Sequence, residues 1–200
     1  FSHNPIVPDT ILPASAAGTE LQVFAAPGEF EPASFVVRPR RTLPAFRPEA
    51  GALTNEAGRV LPASAADIRI VKVWYECVGR FQTEDQLTYR KGIGAARRLV
   101  PEILIRDDSL IRVDTRQQEQ YLRLSYTWGW GPGKKYVWIS EVDDSRMFRY
   151  PIPADQYPVL DSPNLLPFPI PADQNQQFWL TVRPPTNAAP GLYRGPVILR

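Results

Sequence analysis

Three adjacent carboxylate pairs, Glu84-Asp85, Asp107-Asp108 and Asp143-Asp144, have the side chains best suited to hydrolytic chemistry in this sequence. Cleavage of a glycosidic bond needs two carboxyl groups facing each other across a bound sugar, one of them with its pKa raised by its pocket. Neighbours in an extended strand point to opposite faces, so no single pair meets that need unless its backbone turns. Pairing between loops stays open at the level of sequence, and turn or solvated-loop acids are the plainer reading. Glu141-Val142-Asp143-Asp144 offers oxygen ligands of the kind calcium takes, without the spacing of an EF-hand. Histidine and thiol chemistry are nearly closed off, because His3 is the sole histidine and Cys77 the sole cysteine. A zinc site lacks its nitrogen partners, a Cys-His nucleophilic pair would have to join distant positions, and no disulfide can close within the chain. Cys77 lies in an apolar stretch and is expected to be a buried, unreactive thiol. The residues therefore assign no catalytic group, no metal and no cofactor.

Aromatic side chains carry the better binding hypothesis. Trp128 and Trp130 flank Gly129 and precede Gly131-Pro132-Gly133-Lys134-Lys135. Trp128 continues the apolar face of its strand and is expected in the core. Trp130 shares that parity but stands among glycines, which supply no side-chain wall. It is either a lid folded onto the core or an exposed indole that stacks on a sugar ring or anchors a protein partner. Trp74, in a strand with two apolar faces, is the third candidate for a contact surface.

The elements that would position these residues read as strands. Asp67 to Val78 is rich in β-branched and aromatic residues and is the strongest of them. Its Val71, Val73, Tyr75 and Cys77 alternate with Ile68, Ile70 and Trp74, so both faces are apolar, as in a central strand covered on both sides. Tyr121 to Trp128 alternates cleanly, with Leu122, Leu124, Tyr126 and Trp128 opposed to Arg123, Ser125 and Thr127. Gly129 to Lys135 reads as a hairpin tip and Tyr136 to Ser140 as the returning strand. Shorter strands are expected over Glu20–Ala25, Ser34–Arg38, Glu102–Arg106, Leu110–Val113, Gln177–Arg183 and Leu192–Arg200, with a turn at Pro27-Gly28-Glu29. Gly79 to Ala96 reads as a long loop, and Pro39–Pro48 and Pro151–Pro171 as proline-rich connections. Ala189-Pro190-Gly191-Leu192-Tyr193 is similar to the tyrosine corner of immunoglobulin-like sandwiches, in which the hydroxyl bonds back to nearby backbone.

No ten-residue stretch has convincing helical periodicity, and the alanine runs Ala14–Ala17 and Ala63–Ala66 suffice for one turn each. The chain of 200 residues contains 22 prolines, which break helix interiors. Pro101 is the only one between Ala63 and Gly131, so the least interrupted strands are expected there. These features predict an all-β fold: an antiparallel β-sandwich, immunoglobulin-like or jelly-roll-like, with long proline-rich loops. The predicted organisation is an N-terminal arm over 1–19 and a single sandwich domain over 20–200. A net charge of +2 with scattered arginines gives no pull toward nucleic acid, and no apolar run is long enough for a membrane span.

Several segments in series resemble one family. Gly28-Glu29-Phe30-Glu31-Pro32-Ala33-Ser34-Phe35-Val36-Val37-Arg38 opens it. Leu61-Pro62-Ala63-Ser64 then leads into Ile70-Val71-Lys72-Val73-Trp74-Tyr75. Pro101-Glu102-Ile103-Leu104-Ile105 runs into Asp107-Asp108-Ser109-Leu110-Ile111-Arg112-Val113-Asp114. Gln177-Phe178-Trp179-Leu180-Thr181-Val182 precedes Ala189-Pro190-Gly191-Leu192-Tyr193-Arg194-Gly195. The series, from about Glu20 to Arg200, resembles the N-terminal β-sandwich of proteins related to glycoside hydrolase family 123, the exo-β-N-acetylgalactosaminidase family, and their bacterial relatives. The resemblance implies a sandwich that accompanies a catalytic (β/α)8 barrel carrying an adjacent Asp-Glu pair. It implies no catalytic residue in this chain, since Glu84-Asp85 has the wrong order and the wrong domain. It also implies a secreted, periplasmic or extracellular protein whose partner is a protein surface, the barrel or a neighbouring subunit, with carbohydrate second. A stand-alone carbohydrate-binding module and an extracellular structural or assembly subunit are the alternatives.

Overall fold

The computed structural model describes residues 5–78, 96–124, 135–139 and 159–200. The described residues are all-β: fourteen strands in antiparallel sheets, with single 3-10 turns at Ala14–Ala16, Ala63–Ala65 and Asp108–Leu110. Both alanine runs thus form one turn and no more, as their length requires. The chain divides into two compact units. The first comprises Ile6–Val71, Ile103–Asp107 and Ser162–Arg200; the second comprises Phe1–Pro5, Lys72–Glu102 and Asp108–Asp161.

Strands β1 (Glu31–Val37), β12 (Gln176–Val182), β6 (Ala66–Val78) and β7 (Ala96–Ile105) form a four-stranded sheet in the order β1-β12-β6-β7. In the first unit, Phe35 of β1 faces Phe178 of β12, and Phe178 faces Ile70 of β6. Phe178 is completely buried, and it stacks on Phe35 at 5.2 Å between centroids. The rings of Phe46 and Phe168 tilt against it at 5.8 and 6.0 Å. Ile70, Ile170 and Leu180 complete this core. Phe46 and Phe168 come from β2 (Leu43–Phe46) and β11 (Phe168–Ile170), which pair with each other. Short ladders join β13 (Tyr193–Arg194), β4 (Leu53–Asn55) and β5 (Val60–Leu61), and β14 (Val197–Leu199) with β3 (Pro48–Ala50).

Within the first unit, the backbone of residues 7–10 is held by one buried asparagine. Asn175 Nδ2 donates to the Val7 and Thr10 carbonyls at 3.1 and 2.7 Å, and the Asn175 N–H donates to the Pro8 carbonyl at 2.8 Å. Its burial is explained by that saturation of donors.

In the second unit, β8 (Ile111–Asp114), β9 (Glu119–Leu124) and β10 (Lys135–Ile139) form an antiparallel sheet in the order β10-β9-β8. The β8–β9 turn is fixed by Asp114 Oδ1, which accepts from the N–H groups of Arg116 and Gln117 at 2.9 and 3.0 Å. That is the local Asx bonding that makes aspartate a turn former. Leu110, Ile111 and Tyr75 are buried. Gln120 is buried with them, and its amide is satisfied on both sides by one residue of β6. The Tyr75 N–H donates to Gln120 Oε1 at 3.1 Å, and Gln120 Nε2 donates to the Tyr75 carbonyl at 3.0 Å.

The strand over Asp67–Val78 forms as its composition predicts, and it lies inside its sheet. Its burial changes face along its length: Ile68 and Ile70 are buried on one parity, then Val71 and Tyr75 on the other. Elsewhere the elements differ from the sequence reading. Glu20–Ala25 alternates like a strand but has no ladder partner, and Phe24 stands 89% exposed. The Pro39–Pro48 and Pro151–Pro171 connections contain β2, β11 and the start of β3. Pro44 and Pro169 occupy exposed positions of a two-stranded sheet, where a missing N–H leaves no ladder bond unmade. Strand β7 begins at Ala96 and carries Pro101 because it is the last strand in its sheet order. The terminal strand is split at Gly195-Pro196: a Cβ at Gly195 would collide with the Ala52 carbonyl, so the backbones approach too closely for any other residue. The loop expected over Gly79–Ala96, up to residue 95, and the hairpin tip from Gly129 to residue 134 lie outside the described residues.

Candidate functional site

Trp74 and Glu76 share one face of β6, because side chains two apart in a strand point the same way. Arg98, Val100 and Glu102 share one face of β7 for the same reason. The two faces meet: the Trp74 indole Nε1–H donates to Glu102 Oε2 at 2.8 Å. Glu76, Arg98, Val100, Pro101 and Glu102 line a depression of about 320 Å³, open to solvent. All of these residues belong to the second unit. Trp74 is half-buried, while Arg98 and Glu102 are exposed. Glu102 thereby pins the indole and is itself exposed.

The depression holds two carboxylates, a guanidinium and a proline ring. Carboxylates accept from hydroxyl groups and a guanidinium donates to them, so the arrangement suits a polyol or sugar. An open depression does not exclude water, and water exclusion is what gives fixed charges their catalytic strength.

The other predicted site residues separate clearly. Trp128 and Trp130 lie outside the described residues, as do Glu84-Asp85, Asp143-Asp144, Glu141 and His3, and so does the side chain of Cys77. Asp107 is buried. Asp108 is committed to an ion pair, its Oδ1 accepting from Lys72 Nζ at 2.6 Å, and its carbonyl accepting from the same ammonium at 3.3 Å. A second ion-paired cluster lies in the first unit. Asp67 accepts from Arg69 Nε at 2.9 Å and from Arg106 Nη2 at 2.9 Å. Burial alone would raise the Asp67 pKa, but hydrogen bonds and charge from Arg69 and Arg106 outweigh it and hold the carboxyl below its ordinary value. Among the described residues, no group of three or more His, Cys, Asp or Glu side chains is placed to hold a metal ion. No helix among them is long and apolar enough to cross a membrane.

Sequence reasoning missed Glu76, Arg98 and Glu102. The signal was present in part, since an acid two residues from Trp74 marks a polar patch on an apolar strand. Its completion needed the whole of β7, of which the sequence marked only the end, from Glu102, as a strand.

The class that the fold defines is a β-domain of antiparallel sheets. Neither a family model nor a curated protein sequence matches the chain. Among solved structures, it is similar to a family 123 glycoside hydrolase from Clostridium perfringens, described for glycolipid glycan hydrolysis, with 12% identity and a TM-score of 0.48. The match covers 88% of this chain and 19% of that one, so the chain spans about a fifth of that hydrolase.

Proposed function

We propose that this chain is a non-catalytic accessory β-sandwich domain of a secreted glycoside-hydrolase-like protein, and that it supports a catalytic (β/α)8 barrel. The observation that carries this reading is where the family-like segments fall. Gly28 takes a φ of +86° in the turn before β1, Phe35 and Phe178 stack in a core, and Tyr193 closes a turn through its hydroxyl. These are scaffold roles. The described carboxylates with ion-pair partners also serve the scaffold, as Asp67 does with Arg69 and Arg106, and Asp108 with Lys72. Leu192, Ile198 and Leu199 of the first unit are exposed apolar side chains of the kind that a neighbouring protein domain covers. Trp130 and Trp128 are nominated as further contacts, with protein the first partner and carbohydrate the second.

Two measurements test the reading. The purified chain should hydrolyse a chromogenic N-acetyl-β-galactosaminide no faster than background. Turnover that disappears on substituting Asp107 or Asp108 would overturn the accessory role. The reading frame beyond Arg200 should encode a barrel, and one that encodes no such domain would also refute it.

A second reading, a carbohydrate-binding module, is favoured by the depression beside Trp74. Its test is a glycan array probed with the wild type and Glu102→Gln. Glycan binding that the substitution weakens supports this reading, and an array with no signal removes it.

A further inference from the structure

One face of the β10-β9-β8 sheet is distinct from the depression beside Trp74. Arg112 of β8 lies directly opposite Tyr121 of β9, and Arg123 of β9 directly opposite Tyr136 of β10. Directly opposed residues, and residues two apart on one strand, share a face, so these four side chains project together. The guanidinium carbon of Arg112 sits 4.6 Å from the centroid of the Tyr121 ring and 4.8 Å from that of Tyr136. Each ring is anchored in turn. The Tyr121 hydroxyl donates to Glu119 Oε2 at 3.1 Å, and the Tyr136 hydroxyl donates to the Ser109 carbonyl. Arg123 Nη1 donates to Ser109 Oγ, which fixes a second guanidinium at the same place.

Two held rings therefore position an exposed arginine. Among the described residues, no hydrogen bond or ion pair takes up the N–H groups of Arg112. A guanidinium is a planar fork whose paired N–H groups match a carboxylate, and fixing its plane beforehand lowers the entropy cost of capture. We propose that Arg112, held between Tyr121 and Tyr136, binds the carboxylate of a uronic-acid sugar on this sheet face.

The surroundings select a single anion with neutral neighbours. Asp114 and Glu119 face each other two rungs along the ladder, on the same face. Both are committed: Asp114 holds the β8–β9 turn, and Glu119 holds Tyr121. Their charges repel a run of acidic side chains or a polysulfated chain laid along the sheet. A uronic acid presents one carboxylate on a ring that otherwise carries hydroxyls, and the hydroxyls can bond to these same acids. This assignment stands on the second unit alone and does not rest on the accessory-domain reading.

Ligand-observed NMR titration of the whole chain tests it, with sodium glucuronate, glucose, sodium acetate and a tetraglutamate peptide as probes. Glucuronate should bind saturably and about ten-fold tighter than glucose or acetate, since the charge-assisted fork and the hydroxyl contacts act together. Arg112→Lys keeps the charge and a cation over the rings but loses the planar fork, and should weaken glucuronate about five-fold. Arg112→Gln should remove the preference over glucose. Glucuronate binding no tighter than glucose, or a preference that survives Arg112→Gln, would overturn the proposal. Acetate binding as tightly as glucuronate would mean charge pairing alone, and tetraglutamate binding more tightly would mean a peptide surface; either outcome overturns the sugar assignment. If Arg112→Gln fails to give the wild-type thermal transition, the Arg112→Lys comparison decides.

Discussion

The hydroxyl of Tyr193 donates to the carbonyl of Ala189 at 3.1 Å, four residues back along the chain. Between them, Gly191 holds a φ of +150°, and Tyr193 then pairs with Asn55 at the start of β13. The bond locks the turn that feeds the last strands. Tyr193→Phe removes the donor and keeps the ring, so it should cost about 1 kcal/mol, the net value of one hydrogen bond. Urea denaturation checks this, and an unchanged midpoint would show that the turn holds without the hydroxyl.

Phe178 is the centre of the first unit's aromatic cluster, with the Phe35, Phe46 and Phe168 rings around it. Phe178→Ala would leave a cavity walled by three rings on different strands that cannot all collapse inward. A loss of about 3–5 kcal/mol is expected. Phe178→Leu should cost less than half of that. Chemical denaturation of the two variants measures both values, and equal costs would argue against a cavity effect.

Gln120 makes the corresponding prediction for the second unit. Its amide satisfies both the N–H and the carbonyl of Tyr75. Gln120→Leu preserves approximate volume but orphans two buried backbone groups, and should cost about 2–4 kcal/mol. Gln120→Glu at neutral pH should be at least as harmful, because a carboxylate has no donor for the Tyr75 carbonyl. Thermal unfolding of both variants tests this, and a Gln120→Leu protein as stable as the wild type would refute the bridging role.

Asp67 sets a pH dependence. Its folded-state pKa lies below the ordinary 3.8, because Arg69 and Arg106 outweigh the effect of burial. A depressed carboxylate binds protons less readily folded than unfolded. Its contribution is therefore present above the unfolded-state value and is lost as pH falls through the folded-state value. Wild type should be more stable than Asp67→Asn at neutral pH, and the gap should close below about pH 3.8. Denaturation midpoints of the two proteins across that range provide the check, and a pH-independent gap would exclude this origin.

What the sequence determined by itself is the local and the periodic. β-Branched and aromatic density marked β6 over Ala66–Val78, alternation marked β9, and Gln177-Phe178-Trp179-Leu180-Thr181-Val182 marked β12. Proline excess argued against a helical fold because each ring removes a donor wherever it sits. The Tyr193 bond was legible too, since both its partners lie within one turn. What only the tertiary structure decided is which extended segments find partners. Glu20–Ala25 alternates and pairs with nothing, while proline-broken Leu43–Phe46 and Phe168–Ile170 pair with each other across more than a hundred residues. A strand is stabilised by its neighbour's hydrogen bonds and its covered face, and neither is a property of the segment. The same reason hid the depression beside Trp74 and the Tyr121–Arg112–Tyr136 face. Each is assembled from different strands, so its residues are adjacent only through the register of a ladder, which the sequence order does not encode.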